Sequence, residues 1–214
     1  MNKRWTLRKI FIKLYTAFGP QHWWPAETPF EVAVGAILTQ NTNWQNVEKA
    51  IARLKEKGLL NPQALHLIPL RMLATLIRPA GYYNVKAKRL KAFVSFIMAE
   101  FNGSLEEMAQ CEVEVLRKRL LDVDGIGPET ADSILLYALK KPVFVVDAYT
   151  KRVLSRHGII NNDARYEEIQ SLFHRSLEPD VQLYNEYHAL FVRLGKTFCK
   201  TRPFCKDCVL GEGL

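Results

Sequence analysis

Apolar residues recur at three- and four-residue intervals along almost the whole chain, the spacing of one face of an α-helix. In "QNVEKAIARLKEKG", Val47, Ala50, Ile51 and Leu54 share a face and Gly58 marks the stop. In "NVKAKRLKAFVSFIMAEFNG", Leu90, Phe93, Val94, Ile97, Met98 and Phe101 align, with Asn84 as candidate N-cap and Gly103 as the end. Ser104 and Glu107 have capping-box spacing, and Pro62, Pro69 and Pro128 stand where a first helical turn accepts proline. "FEVAVGAIL" is apolar on every side and predicts a buried central helix over 30–38. "VFVV" at 143–146 is strand-like but short, follows Pro142 and leads into a helical pattern, so it reads as an extended connector. There is no βαβ alternation, internal repeat or low-complexity linker. The pattern predicts an all-α fold of about ten short helices.

The N-terminal "MNKRWTLRKIFIKLYTAFG" is basic, which raises a targeting segment as one reading. Its apolar residues Trp5, Leu7, Ile10, Phe11, Leu14 and Phe18 instead recur at helical spacing with basic residues between them, without a continuous apolar core or a small-residue cleavage site. An amphipathic first helix and a cytoplasmic protein are expected, nucleoid-associated if the source is bacterial or archaeal. No apolar run is long enough to cross a bilayer.

Composition narrows the partner. The chain has 214 residues, 48% of them apolar, enough for one core or two small lobes and too many for disorder. A net charge of +8 and a pI near 9.3 favour a polyanion, either nucleic acid or an anionic membrane surface. No helix concentrates basic residues opposite an apolar face, which turns the reading toward nucleic acid.

The chemistry-bearing stretch is "LLDVDGIGPETADSILLYALKKPVFVVDAYTKRV", residues 120–153. Gly125-Ile126-Gly127 joins two helical patterns as a helix-hairpin-helix. Glycine admits positive φ and close backbone approach, and the helix opened by Pro128 offers unpaired N–H groups to a phosphate without any base contact. Ile126 would pack into the hairpin. A tight turn between two core helices would use the same residues. Asp147 likewise has two readings: N-cap of the helix beginning at Ala148, or a carboxylate aimed at positive charge developing on a sugar carbon.

Taken together, "LLDVDGIGPETADSIL", "VVDAYTKRV", "AILTQNT" and "GYYNVKAKRL" resemble the helix-hairpin-helix DNA glycosylases related to endonuclease III. "HWWP", "LTQNTNW" and "RPAGYYNVKAKRL" look most like the 3-methyladenine DNA glycosylase III branch. The resemblance runs from about residue 20 to the C-terminus, in the family's order. It implies a two-lobed all-α fold with a cleft between lobes. One lobe, 21–141, would be a six-helix unit ending in the hairpin; the other would combine 1–20 with 142–214. It implies a monomeric base-excision repair enzyme that flips a damaged base out of double-stranded DNA and hydrolyses its N-glycosidic bond.

Carried over residue by residue, the resemblance makes Asp147 the catalytic acid. Gln40 would fill the gap left by the flipped base and Tyr82 would act as a wedge, both beside the DNA-binding hairpin residues Gly125, Ile126, Gly127, Glu129 and Thr130. Trp23, Trp24, Pro25, Trp44 and Lys196 would line the base pocket. Core packing is the ordinary alternative for any of the tryptophans, and a solvated lysine for Lys196.

Glu129 stands where bifunctional relatives carry a lysine that forms a Schiff base. A glutamate forms no imine, so the expectation is a glycosylase without lyase activity, with Lys140, Lys141 and Lys151 as neighbouring amines. Aromatic faces suit a cationic alkylated purine such as 3-methyladenine. The alternatives are a glycosylase for mispaired uracil or thymine or for oxidised pyrimidines, or a non-catalytic DNA-binding protein.

In the tail, the resemblance implies a [4Fe–4S] cluster on four cysteines spaced C-x6-C-x2-C-x5-C. Here Cys199, Cys205 and Cys208 are spaced x5 and x2, and Leu214 stands at the fourth position. A cluster with a non-cysteine fourth ligand, a zinc with an outside ligand, and the remnant of a lost site are the three readings.

Overall fold

The computed structural model describes residues 6–211; Trp5 and Leu214 lie outside them. The chain forms two compact units, 26–141 and 1–25 with 142–214, and is helical with no strand among the described residues.

Within 26–141, α2 (Pro29–Leu38) is the centre. Thr28 caps it by accepting from Glu31 N at 3.1 Å, Pro29 fills the first turn, and Phe30 to Leu38 are all buried. Around it pack α3 (Trp44–Glu56), α6 (Tyr83–Phe101) and α9 (Pro128–Ser133), which runs on as a π-helical segment over Ile134–Ala138. Two short helices, α4 (Pro62–Leu67) and α5 (Leu70–Leu76), pack against α6, followed by a 3₁₀ turn at Arg78–Ala80. α7 (Leu105–Ala109) and α8 (Val113–Leu121) lead into the hairpin. At α7, Ser104 Oγ accepts from Glu107 N at 3.0 Å while its hydroxyl donates to Glu106, so the serine half of the expected capping box is present.

One predicted boundary shifts. α6 begins at Tyr83, and Asn84 sits inside its first turn rather than capping it. Gly81 and Tyr82 both have positive φ, 69° and 45°, and this sharp reversal sets the helix start without a side-chain cap.

The other unit, numbered in chain order, contains α1 (Leu7–Phe18), α10 (Ala148–Arg156), α11 (Tyr166–Ser176) and α12 (Val181–Thr197). Its core is aromatic: Phe144 stacks on Phe173 with centroids 3.6 Å apart, Phe173 meets Tyr187 edge-on at 5.4 Å, and Tyr187 stacks on Phe191 at 4.7 Å. α1 adds Leu7, Ile10 and Leu14, and Tyr187 Oη donates to Leu7 O at 2.8 Å.

The "VFVV" run is an extended connector with buried side chains. Side chains of 166–174 take the place of a partner strand. Phe144 N donates to His174 Nε2 (3.0 Å), Phe144 O accepts from Gln170 Nε2 (2.8 Å), and Val146 N donates to Tyr166 Oη (3.3 Å). Buried backbone groups need partners, and these supply them.

Candidate active site

The hairpin is built by glycines with different duties. Gly125 has φ +82°, a conformation that side-chain-bearing residues rarely adopt, and a Cβ there would sit 2.2 Å from Arg89 Cγ. Gly127 is extended (φ −91°, ψ 178°), precedes Pro128, and a Cβ on it would meet nothing within 4 Å. Ile126 is buried at 4% exposure, anchoring the turn as expected. Arg117 of α8 grips the fully buried Asp132 of α9 through two nitrogens, at 2.7 and 3.0 Å, fixing the two helices of the hairpin.

Gln40 is tied directly to this hairpin. Its Nε2 donates to Gly125 O (3.1 Å) and Thr130 Oγ1 (2.9 Å), while Arg89 Nη1 donates to its Oε1. Three residues separately expected to face DNA thus form one hydrogen-bonded group, and Arg89, which sequence reasoning missed, completes it. Lys86, also missed, is 1% exposed and donates to Leu38 O and Ala80 O, both at 2.8 Å. It joins the backbone just before Gln40 to the backbone just before Tyr82. Burial, with the Arg89 charge adding to it, brings the Lys86 pKa down to about 8. Tyr82 is 72% exposed, with its backbone in the left-handed region. Glu129 is exposed on the first turn of α9.

In the other unit, Asp147 caps α10: its Oδ1 accepts from Thr150 N at 2.7 Å. The carboxylate is only 11% exposed, and its Oδ2 lies 3.5 Å from Nε2 of His188 on α12. Burial alone would raise its pKa; the His188 imidazole beside it, then the hydrogen bonds from Thr150, outweigh it and hold the carboxyl below its ordinary value. The cap reading is therefore correct, and the same geometry keeps the acid ionised.

Trp23 and Trp24 meet edge-to-face at 5.6 Å, both half-buried, with Pro25 exposed beside them. Lys196 Nζ lies 6.0 Å over the Trp23 ring, at the outer limit of a cation–π contact. Trp44 belongs to the 26–141 unit, where it begins α3 and donates through Nε1 to Glu48 (2.7 Å). Lys140, Lys141 and Lys151 each donate to a backbone carbonyl, of Tyr137, Cys111 and Ala164.

Cys199, Cys205 and Cys208 line one pocket with His157 and Arg156. The tail is held by arginines: Arg156 donates to Cys199 Sγ (3.2 Å), Lys200 O (2.6 Å) and Thr201 O (3.0 Å), and Arg152 to Cys199 O (2.7 Å). Among the described residues no group of three or more His, Cys, Asp or Glu side chains has metal-binding geometry. Burial raises the Cys208 thiol, and the neighbouring thiols push it the same way. The three tail cysteines fall one short of the four-thiolate donor set of a [4Fe–4S] cluster.

A family model for "HhH-GPD superfamily base excision DNA repair protein" matches residues 34–179. The chain belongs to this superfamily. As an HhH-GPD protein it is a DNA glycosylase of base excision repair, related to the endonuclease III enzymes. It is 50% identical over 213 residues to a Methanocaldococcus jannaschii protein provisionally named a DNA repair glycosylase, covering 99% of this chain and 96% of the relative. The crystal structure of Helicobacter pylori 3-methyladenine DNA glycosylase (MagIII) bound to 1,N6-ethenoadenine is similar with a TM-score of 0.76 and 30% identity. That match covers 90% of this chain and 98% of the other. A non-covalent endonuclease III–DNA complex has the same fold, with a TM-score of 0.83 at 23% identity, covering 98% and 95%. Among the described residues no helix is long and apolar enough to cross a membrane.

Proposed function

We propose that this glycosylase acts on alkylated purines such as 3-methyladenine in double-stranded DNA, as a monomer, and that it hydrolyses the N-glycosidic bond without cleaving the strand. The observation that carries the reading is the Trp23–Trp24 pair with a cation already over one ring, an aromatic surface suited to a positively charged base. Its 30% identity to a 3-methyladenine glycosylase across most of both chains supports the same substrate class.

The step follows from the charges. The C1′–N bond breaks, its electron pair leaves with the base and neutralises the base's cation, and the sugar becomes oxocarbenium-like. The Asp147 carboxylate stabilises that charge. Water then adds to C1′ and gives up a proton, which Asp147 can accept. Glu129 cannot form an imine, and Lys140, Lys141 and Lys151 are engaged with backbone carbonyls, which supports water as the nucleophile. Gln40, Tyr82, Thr130 and the Gly125–Gly127 turn would hold the distorted duplex, Gln40 and Tyr82 at the vacated base position.

The test is release of free bases from methylated duplex DNA by the wild type and Asp147→Asn, with borohydride trapping alongside. Wild-type release of 3-methyladenine, its loss in a variant that still binds DNA, and no trapped adduct are expected. Release of uracil or oxidised pyrimidines instead would reassign the substrate, and a trapped adduct would overturn the monofunctional reading.

A further inference from the structure

Asp147 is held from two helices, and the second contact is unexplained by capping. The first is local: Oδ1 accepts from Thr150 N within α10. The second comes from His188 on α12, whose Nε2 lies 3.5 Å from Oδ2, with side-chain exposures of 8% and 11%. α10 and α12 can approach this closely because Gly195, seven residues beyond His188, has no side chain. A Cβ there would come within 2.2 Å of Tyr149 Cδ1.

We propose that His188 is a positioning residue for the reaction: its imidazole, set at ion-pair distance from the buried Asp147, keeps that carboxylate anionic and oriented at the mouth of α10. The proposal rests on the reading of Asp147 as the catalytic acid. An N-cap alone needs only one carboxylate oxygen, and a cap in water needs no cationic partner. A carboxylate withdrawn from water does, because desolvation favours its neutral form. A neutral Asp147 could neither stabilise a sugar cation nor accept a proton from water.

On the described elements packed around the pair, the titratable and charged groups have contacts, burial or solvent exposure of their own. On α12, Tyr184 and Tyr187 are pushed toward their neutral forms by burial. On α11, His174 accepts from Phe144 N through Nε2 and stacks on Tyr184. On α10, Lys151 and Arg152 are directed to the carbonyls of Ala164 and Cys199, and Tyr149 packs under Arg152. α1 presents Leu7, Ile10 and Leu14 inward, with Arg8, Lys9 and Lys13 exposed.

The experiment is carboxyl-carbon NMR titration of Asp147 in the full chain, wild type against His188→Gln, with base release measured across pH in parallel. Glutamine keeps a donor near Oδ2 but removes the imidazole. The Asp147 midpoint is expected to move upward in the folded variant. The acid limb of base release should move with it, as a loss of kcat at low pH with KM for damaged DNA retained. An unmoved midpoint in a folded variant overturns the proposal. Should His188→Gln not fold, His188→Asn decides in its place, and an unmoved Asp147 midpoint in that folded variant is equally fatal. The carboxyl titration needs no substrate. A shifted midpoint in a protein that releases no base would leave the pair standing and sink the glycosylase assignment of Asp147.

Discussion

Two glycines of the hairpin, Gly125 and Gly127, separate folding from binding. Gly125→Ala must carry a side chain at φ +82° and push Arg89 aside, so the protein alone should lose stability, on the order of 1–3 kcal/mol. Gly127→Ala meets open space at an ordinary φ, so its thermal midpoint should stay with the wild type. If the hairpin takes a DNA phosphate against its backbone, the added methyl at Gly127 stands in the way, and duplex binding should fall roughly tenfold or more. Thermal melts and DNA titrations on the two variants check this. Unchanged DNA binding by Gly127→Ala would remove the hairpin backbone from the interface. At this scale the sequence showed Gly125, Gly127 and Asp147, because each sits in a local pattern of turn or cap. His188, Arg89 and Lys86 carry no such pattern. Each acts on residues far along the chain, and a lone histidine or lysine on a helix looks the same whether it points to solvent or to a partner.

Among the elements, the helices themselves were legible where apolar spacing was regular, as in α2, apolar on every side over 30–38, or in α3, whose buried face is Val47, Ala50, Ile51 and Leu54 and which ends before Gly58. The start of α6 was not, since a turn made by Gly81 and a left-handed Tyr82 overrides the usual preference for Asn as a cap. Lys86 explains how that turn is held. Its ammonium bridges the end of α2 and the 3₁₀ turn, so Lys86→Met strands two buried carbonyls, at a cost of about 1–3 kcal/mol. The pH dependence has a definite sign. The folded-state pKa, about 8, lies below the ordinary lysine value of 10.5, so between them the unfolded chain binds more protons than the folded one. The Lys86 contribution to stability should therefore rise as pH increases from about 8 toward 10.5. Urea melts at pH 7.5 and 9.5 are expected to show that rise in the wild type and its loss in Lys86→Met. A parallel dependence in both proteins would mean that Lys86 is not the titrating group.

For the whole molecule, charge and chemistry are divided between the two units. Residues 26–141 hold fifteen Lys and Arg against thirteen Asp and Glu, a balance of +2, which leaves +6 of the total +8 to residues 1–25 and 142–214. The hairpin, Gln40 and Tyr82 belong to the nearly neutral unit, while Asp147, the tryptophan pair and most of the positive field belong to the other. The 26–141 segment is continuous and has its own core around α2 and α6, with Ile37, Leu38, Leu90, Phe93 and Ile97 fully buried. Expressed alone it should fold, giving a helical circular dichroism spectrum and a cooperative urea transition. It should then bind duplex DNA more weakly than the full chain, with a shallower dependence on salt, because fewer counterions are released when fewer cations meet phosphates. On the proposed role of Asp147, base release should be absent, since that residue is missing from the segment. Salt titrations of the segment and the full chain compare the two slopes directly. Equal slopes would mean that the hairpin unit alone makes the phosphate contacts, and that the excess positive charge of the other unit serves something other than holding DNA.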